Sequence, residues 1–123
     1  MRIWLVVAAL NGALAVIAGA FAAHGLQGHL TPAMFEVFQT GARYHLSHAL
    51  AMGLATMAMH GEAAPRARLS AALFFAGIVL FSGSLYLLAL TGLRGFGLVT
   101  PFGGLALIAG WIALALAGLK LKT

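Results

Sequence analysis

His24, His45 and His48 place three imidazoles in a 123-residue chain that is 63% hydrophobic and has no cysteine. Imidazole nitrogens can bind zinc or copper, ligate haem, relay protons, or act as a base toward a hydroxyl nucleophile. Arg43 and Tyr44 stand immediately before His45, and Ser82, Ser84 and Tyr86 form a second polar group within an apolar stretch. His45 and His48 are three residues apart, a spacing that brings two side chains toward one point on a helix surface. One chemistry is a metal site built from His24, His45 and His48. A second is a haem, or a quinone head group, held by the same cluster. A third is a Ser82 or Ser84 nucleophile with a histidine base, but the apolar segments contain no carboxylate to orient that base. Glu36 has a plainer use, an ion pair with Arg43 two helical turns away. The simplest reading has His45 and His48 hydrogen-bonding Ser82, Ser84 or a backbone carbonyl, because buried polar groups normally find partners. No particular cofactor follows from these residues. His29 and His60 read as exposed loop and helix-end residues, and Asn11 reads as a polar contact joining helices.

The elements that must position these residues are four apolar segments, at about 3–23, 43–60, 69–91 and 101–119. Each approaches the ~20 residues needed to cross ~30 Å of hydrocarbon. Backbone polar groups have no partner in lipid except one another, so these segments should be helices. The first is read as a retained helix, because its apolar run exceeds the ~7–15 residues of a signal-peptide core. Charged residues are only 7% of the chain, against roughly 25% in soluble domains, and so much apolar surface cannot be hidden inside so short a chain. The expected fold is therefore all-α: one integral-membrane domain, a four-helix antiparallel bundle. A short interfacial amphipathic helix at about 32–42 is expected between the first two spans, continuous with the second or bent at Gly41. Thr31-Pro32 would open it, with Met34, Phe35, Val37 and Phe38 on one face. Thr100-Pro101 reads as a second helix start.

Seven Lys and Arg against two acidic residues give a formal charge of +5. They flank the apolar segments and form no stripe, which argues against nucleic-acid binding and for contact with lipid head groups. Arg2, Arg66, Arg68, Lys120 and Lys122 fall on one side of a four-span chain, and Arg43 and Arg94 on the other. Positive residues favour the cytoplasmic side, so both termini are expected there. The polar cluster then lies in the outer half of the bundle. Without cysteine there is no disulfide, thiolate metal site or thiol nucleophile.

Small residues recur three or four apart at Ala8, Gly12, Ala15 and Gly19, at Gly103, Ala106, Gly110, Ala113 and Ala117, and around Gly83. In lipid, such stripes let helix backbones approach closely, so Gly12, Gly19, Gly83, Gly103 and Gly110 are the expected packing glycines.

Four blocks in order resemble a known family. They are Gly19-Ala20-Phe21-Ala22-Ala23-His24, Tyr44-His45-Leu46-Ser47-His48-Ala49-Leu50, Phe81-Ser82-Gly83-Ser84-Leu85-Tyr86 with Thr91-Gly92, and Thr100-Pro101-Phe102-Gly103-Gly104 with Gly110-Trp111. The chain resembles the YgdD-like family of small bacterial inner-membrane proteins over almost its whole length, departing at Ala22, where that family commonly has glycine. The resemblance implies a four-helix membrane fold and supplies no activity, substrate or cofactor. The expected role is non-enzymatic: an accessory or scaffolding protein of the inner membrane, self-associating or docking to a larger complex. Ligand binding at the histidine cluster and an oligomeric channel or transporter are the alternatives.

Overall fold

The computed structural model describes residues 1–122 and is all-helical there. Helix α1 (Arg2–Phe21) runs into a π turn at Ala22–Leu26. Helix α2 (Pro32–Met57) is a single 26-residue rod. A short 3-10 turn, Gly61–Ala63, leads to α3 (Ala64–Gly77). A second π turn, Ile78–Ser82, joins α3 to α4 (Gly83–Thr91). A 3-10 turn at Arg94–Leu98 precedes α5 (Thr100–Gly118).

Local chemistry sets several of these boundaries. Thr31 caps α2, its hydroxyl accepting the Met34 N–H at 3.2 Å, with Pro32 in the first turn. That spends a backbone donor the helix end cannot satisfy internally. Gly92 ends α4 at φ 72°, a left-handed cap, and its N–H reaches the Leu88 carbonyl at 2.8 Å.

The amphipathic segment at 32–42 is continuous with the second span, one of the two arrangements expected for it. It is the first part of α2, which passes Gly41 without a break. Gly41 is a contact point rather than a hinge: it lies against Leu85 and Tyr86, and an added Cβ would sit 3.0 Å from the Tyr86 ring. The third apolar segment is not one regular helix, because the π turn inserts an extra residue. One extra residue rotates the face that follows by about 100°.

Three rods are long and apolar enough to cross a membrane: Arg2–Leu26, Gly61–Thr91 and Arg94–Gly118. Helix α2, about 39 Å at 1.5 Å per residue, has the length, but Glu36, Gln39, Arg43, His45, Ser47 and His48 dilute its apolar content.

The helices pack in sequence order. The principal neighbour of α1 is α2; α2 also meets α3 and α4; α5 lies on α3 and its π turn. The core is built from small side chains. Ala55, Ala63, Ala67, Ala71 and Ala117 are fully buried in one cluster, and Phe74 and Met52 are the largest side chains excluded from solvent. Close approach concentrates on α5. A methyl at Gly103 would overlap the Leu80–Phe81 backbone, and one at Gly110 would lie 2.6 Å from the Phe74 ring. Gly77, which the sequence did not mark, takes the Leu107 side chain in the same way. Gly12 and Gly19 depart from expectation, with nothing within 4 Å of an added Cβ. Gly83 meets only the Ile78 carbonyl, at 3.9 Å. The buried face of α1 is Ala8, Asn11 and Ala15, so the alanines of the small-residue stripe pack within the chain and its glycines do not.

Candidate functional site: a divided polar cluster on α2

Helix α2 carries the centre of the polar cluster. His45 and His48 are 6% and 7% exposed, and three residues at about 100° each set them roughly 60° apart around the axis. That divergence sends them to different neighbours.

His45 faces α1 and α4. Its Nε2 lies 3.0 Å from Asn11 Oδ1, and its Nδ1 lies 2.9 Å from the Tyr86 hydroxyl. The Asn11 amide donates to the Val7 carbonyl at 2.9 Å, which leaves Oδ1 for His45. One neutral tautomer satisfies both ring contacts: Nε2–H donates to Asn11, and Nδ1 accepts from Tyr86. His48 faces α5. The Trp111 indole N–H donates to His48 Nε2 at 3.1 Å, and His48 Nδ1 lies 2.7 Å from the Tyr44 carbonyl. An indole N–H can only donate, so Nε2 accepts and Nδ1–H donates to the carbonyl.

The serines act elsewhere. Ser82 donates to the Gly41 carbonyl at 2.7 Å, tying the π turn to α2. Ser84 donates to the Phe81 carbonyl at 2.9 Å and meets the Thr100 hydroxyl at 2.6 Å, tying α4 to the start of α5. Neither touches a histidine, so the expected Ser–His contacts are absent from this arrangement. The reason is geometric: the π turn aims Ser82 at the α2 backbone, and Ser84 faces α5. Of the partners proposed for the histidines, only a backbone carbonyl is used, at His48. The actual side-chain partners are Asn11, Tyr86 and Trp111. The signal for Asn11 was present in the sequence, as a lone amide within an apolar helix.

The three-histidine set does not assemble. His24 is exposed in the π turn after α1, while the ring nitrogens of His45 and His48 already have protein partners. Among the described residues no group of three or more His, Asp or Glu side chains is placed to hold a metal ion. The same occupied nitrogens withhold His45 and His48 as an axial pair for haem. Arg43 is exposed and pairs with Glu36 at 2.6 Å, as its spacing predicted, with Thr40 at 3.3 Å. Tyr44, also exposed, stacks on His48 at 5.9 Å between ring centroids, with 7° between the planes.

The site is thus two stitches, α1–α2–α4 through His45 and α2–α5 through His48. A groove of about 620 Å³ lies beside the first stitch, between α1 and the α3–α4 rod, with Asn11, His45 and Tyr86 at its polar edge. A smaller depression of about 220 Å³ lies on another side of the α1–α2 pair, where Ala9, Gly12 and Gly53 sit beside Leu46 and Leu50.

Comparison with known proteins places this arrangement. Residues 18–104, which hold the whole cluster except Asn11 and Trp111, match the family described as protein of unknown function DUF423. The chain belongs to the DUF423 family. It is 41% identical over 121 residues to the UPF0382 membrane protein YwdK of Bacillus subtilis, covering 98% of each chain. It is 40% identical over 120 residues to the UPF0382 membrane protein SAB0533 of Staphylococcus aureus, again covering 98% of each. The UPF0382 membrane protein SSP2132 of Staphylococcus saprophyticus is 39% identical over 121 residues, 98% of this chain and all of that one. No solved structure matches. With three membrane-length apolar rods and relatives described as membrane proteins, this DUF423 chain is a membrane protein of a family without an assigned activity.

Proposed function

We propose that this protein is a non-enzymatic accessory protein of the bacterial inner membrane, and that a partner's transmembrane helix docks on its α1–α2 pair. The observation that carries this reading is the depression around Gly12 and Gly53. Both glycines are open to an added Cβ, although they sit among the bulky exposed side chains Leu5, Leu46 and Leu50. Without a hydrophobic drive between helices, association in lipid relies on such small-residue surfaces. The two glycines of the α1 stripe, Gly12 and Gly19, have nothing within 4 Å of an added Cβ among the described residues, which leaves them for a second copy or another protein. The polar cluster supports the non-enzymatic part, because its ring nitrogens are committed to holding helices together.

In this reading the spans run antiparallel, α2 crosses with its polar first turns near the outer surface, and both termini are cytoplasmic. The placing of Arg2, Arg66, Arg68, Lys120 and Lys122 supports that orientation. The four sequence blocks support the YgdD-like assignment within the family.

The test is association in native membranes. Gly12→Leu and Gly53→Leu should not lower thermal stability, since an added Cβ meets nothing within 4 Å at either position, yet they should abolish the oligomer or complex seen on native mass spectrometry. A wild-type protein that is monomeric and without a bound partner overturns the proposal.

A further inference from the structure

We propose that the groove between α1 and the α3–α4 rod binds one uncharged quinone, its ring beside Asn11 and Tyr86 and its chain running toward Phe21 and Leu90. This goes beyond the docking reading and uses a different side of α1.

Size suits a small molecule. The groove extends along α1 from Asn11 to Phe21, about 15 Å at ~1.5 Å per residue. Its volume of about 620 Å³ lies within the roughly 300–1,000 Å³ typical of small-molecule sites. A single chain with a flat head fits that space.

Charge excludes an ionised head. No Lys, Arg, Asp or Glu lines the groove. Asn11 is the tenth residue of the twenty in α1, so it lies roughly 15 Å from either helix end, at a depth where an ionised group has no counter-charge. A fatty-acid carboxylate or a phospholipid head group is therefore a poor match for the polar edge, and an uncharged oxygen is a good one.

Hydrogen bonding selects a carbonyl-bearing head. Asn11 gives one amide hydrogen to the Val7 carbonyl and offers its oxygen to His45. Its second amide hydrogen has no protein partner among the described residues, and it can donate to a quinone carbonyl. Tyr86 gives its hydroxyl hydrogen to His45 and keeps an oxygen lone pair at the same edge. That lone pair would accept from the hydroxyl of the reduced form. Tyr86 presents part of its ring to a planar head, and Phe38, 4.8 Å away between ring centroids, is buried against it. Leu14, Ile17 and Val79 offer the chain an apolar track. His45 belongs to this site as a positioning residue that holds the Asn11 amide and the Tyr86 hydroxyl in place.

The experiment uses the full chain in nanodiscs of synthetic phosphatidylcholine, with decylubiquinone as probe and native mass spectrometry as readout. One saturable decylubiquinone per chain is expected. Asn11→Leu, which removes the donor, and Gly83→Leu, which fills the groove from a position where a Cβ meets only ordinary contact, should each weaken binding by about tenfold or more. Leu116→Ala, on the exposed side of α5, should bind as wild type. Asn11→Leu also cuts a stitch, so the unfolding midpoint is measured beside it, and Gly83→Leu keeps the test independent of that loss. Equal binding in wild type and Gly83→Leu overturns the proposal. So does retention of phosphatidylcholine alone, or displacement of decylubiquinone by equimolar dodecanol, which has the chain without the carbonyl ring.

Discussion

At the residue scale, the two buried histidines divide the work of holding α2 to its neighbours. Each ring has a partner on both nitrogens, so removing a partner leaves a buried polar atom unmet. Trp111→Phe keeps the ring packed on Phe74, at 5.0 Å between centroids, but strands His48 Nε2. The expected cost is ~0.6–1.7 kcal/mol, the range for hydrogen bonds between helices in membranes. A double-mutant cycle with His48→Phe, read by thermal unfolding in detergent, should return a coupling of that size. Additive losses would show that the indole–imidazole contact carries no energy. The glycines make a sharper contrast. Gly103→Ala places a methyl against the Leu80–Phe81 backbone, which no flexible side chain can relieve. It should destabilise by about 1–3 kcal/mol, as overpacking does. Gly12→Ala meets nothing and should be neutral, or stabilising by up to ~1 kcal/mol through helix propensity. A reversed order of unfolding midpoints would place the close approach on α1 and not on α5.

At the scale of elements, α2 is the member to which the others attach. Its start depends on Thr31, and Thr31→Ala should cost about 1 kcal/mol by removing the cap on the Met34 N–H. A larger loss, felt across the whole unfolding transition, would mean that the first turns of α2 are part of the packed core. Sequence patterning showed this helix start because Thr-Pro and the following apolar face are local signals. The π turn at Ile78–Ser82 was not legible. Nothing in Ile-Val-Leu-Phe-Ser breaks a helix by propensity, and what the turn meets, Gly41 on one side and Gly103 on the other, lies far away in sequence. The partners of His45 and His48 were hidden for the same reason. Spacing along α2 fixes the angle between the two rings, but only the packing of α1, α4 and α5 decides what each ring meets. Asn11 and Trp111 therefore entered the cluster, while His24 left it.

At the scale of the whole molecule, the all-α membrane character could be read from apolar length, because the bilayer permits few alternatives. The sequence could not show that the packing is serial and that α1 is held mainly by α2. That arrangement leaves two distinct surfaces on α1, a larger groove toward α4 and a smaller glycine-lined depression beside α2. Orientation is tested by fusions: a C-terminal alkaline phosphatase should be inactive and a C-terminal fluorescent protein bright, and the opposite pattern would invert the topology. The absence of cysteine makes the docking claim directly accessible, since any thiol introduced is unique. The most direct measurement attaches a photoreactive maleimide to single cysteines at Ala9 and Leu50, beside the depression, and at Ile108 and Leu116 on the exposed side of α5. After illumination of intact membranes, a discrete higher-mass adduct should form from Ala9→Cys and Leu50→Cys and be lost when Gly53→Leu is added, with none from Ile108→Cys or Leu116→Cys. Equal adducts from all four positions, or none from the α1–α2 pair, would contradict a helix-docking role.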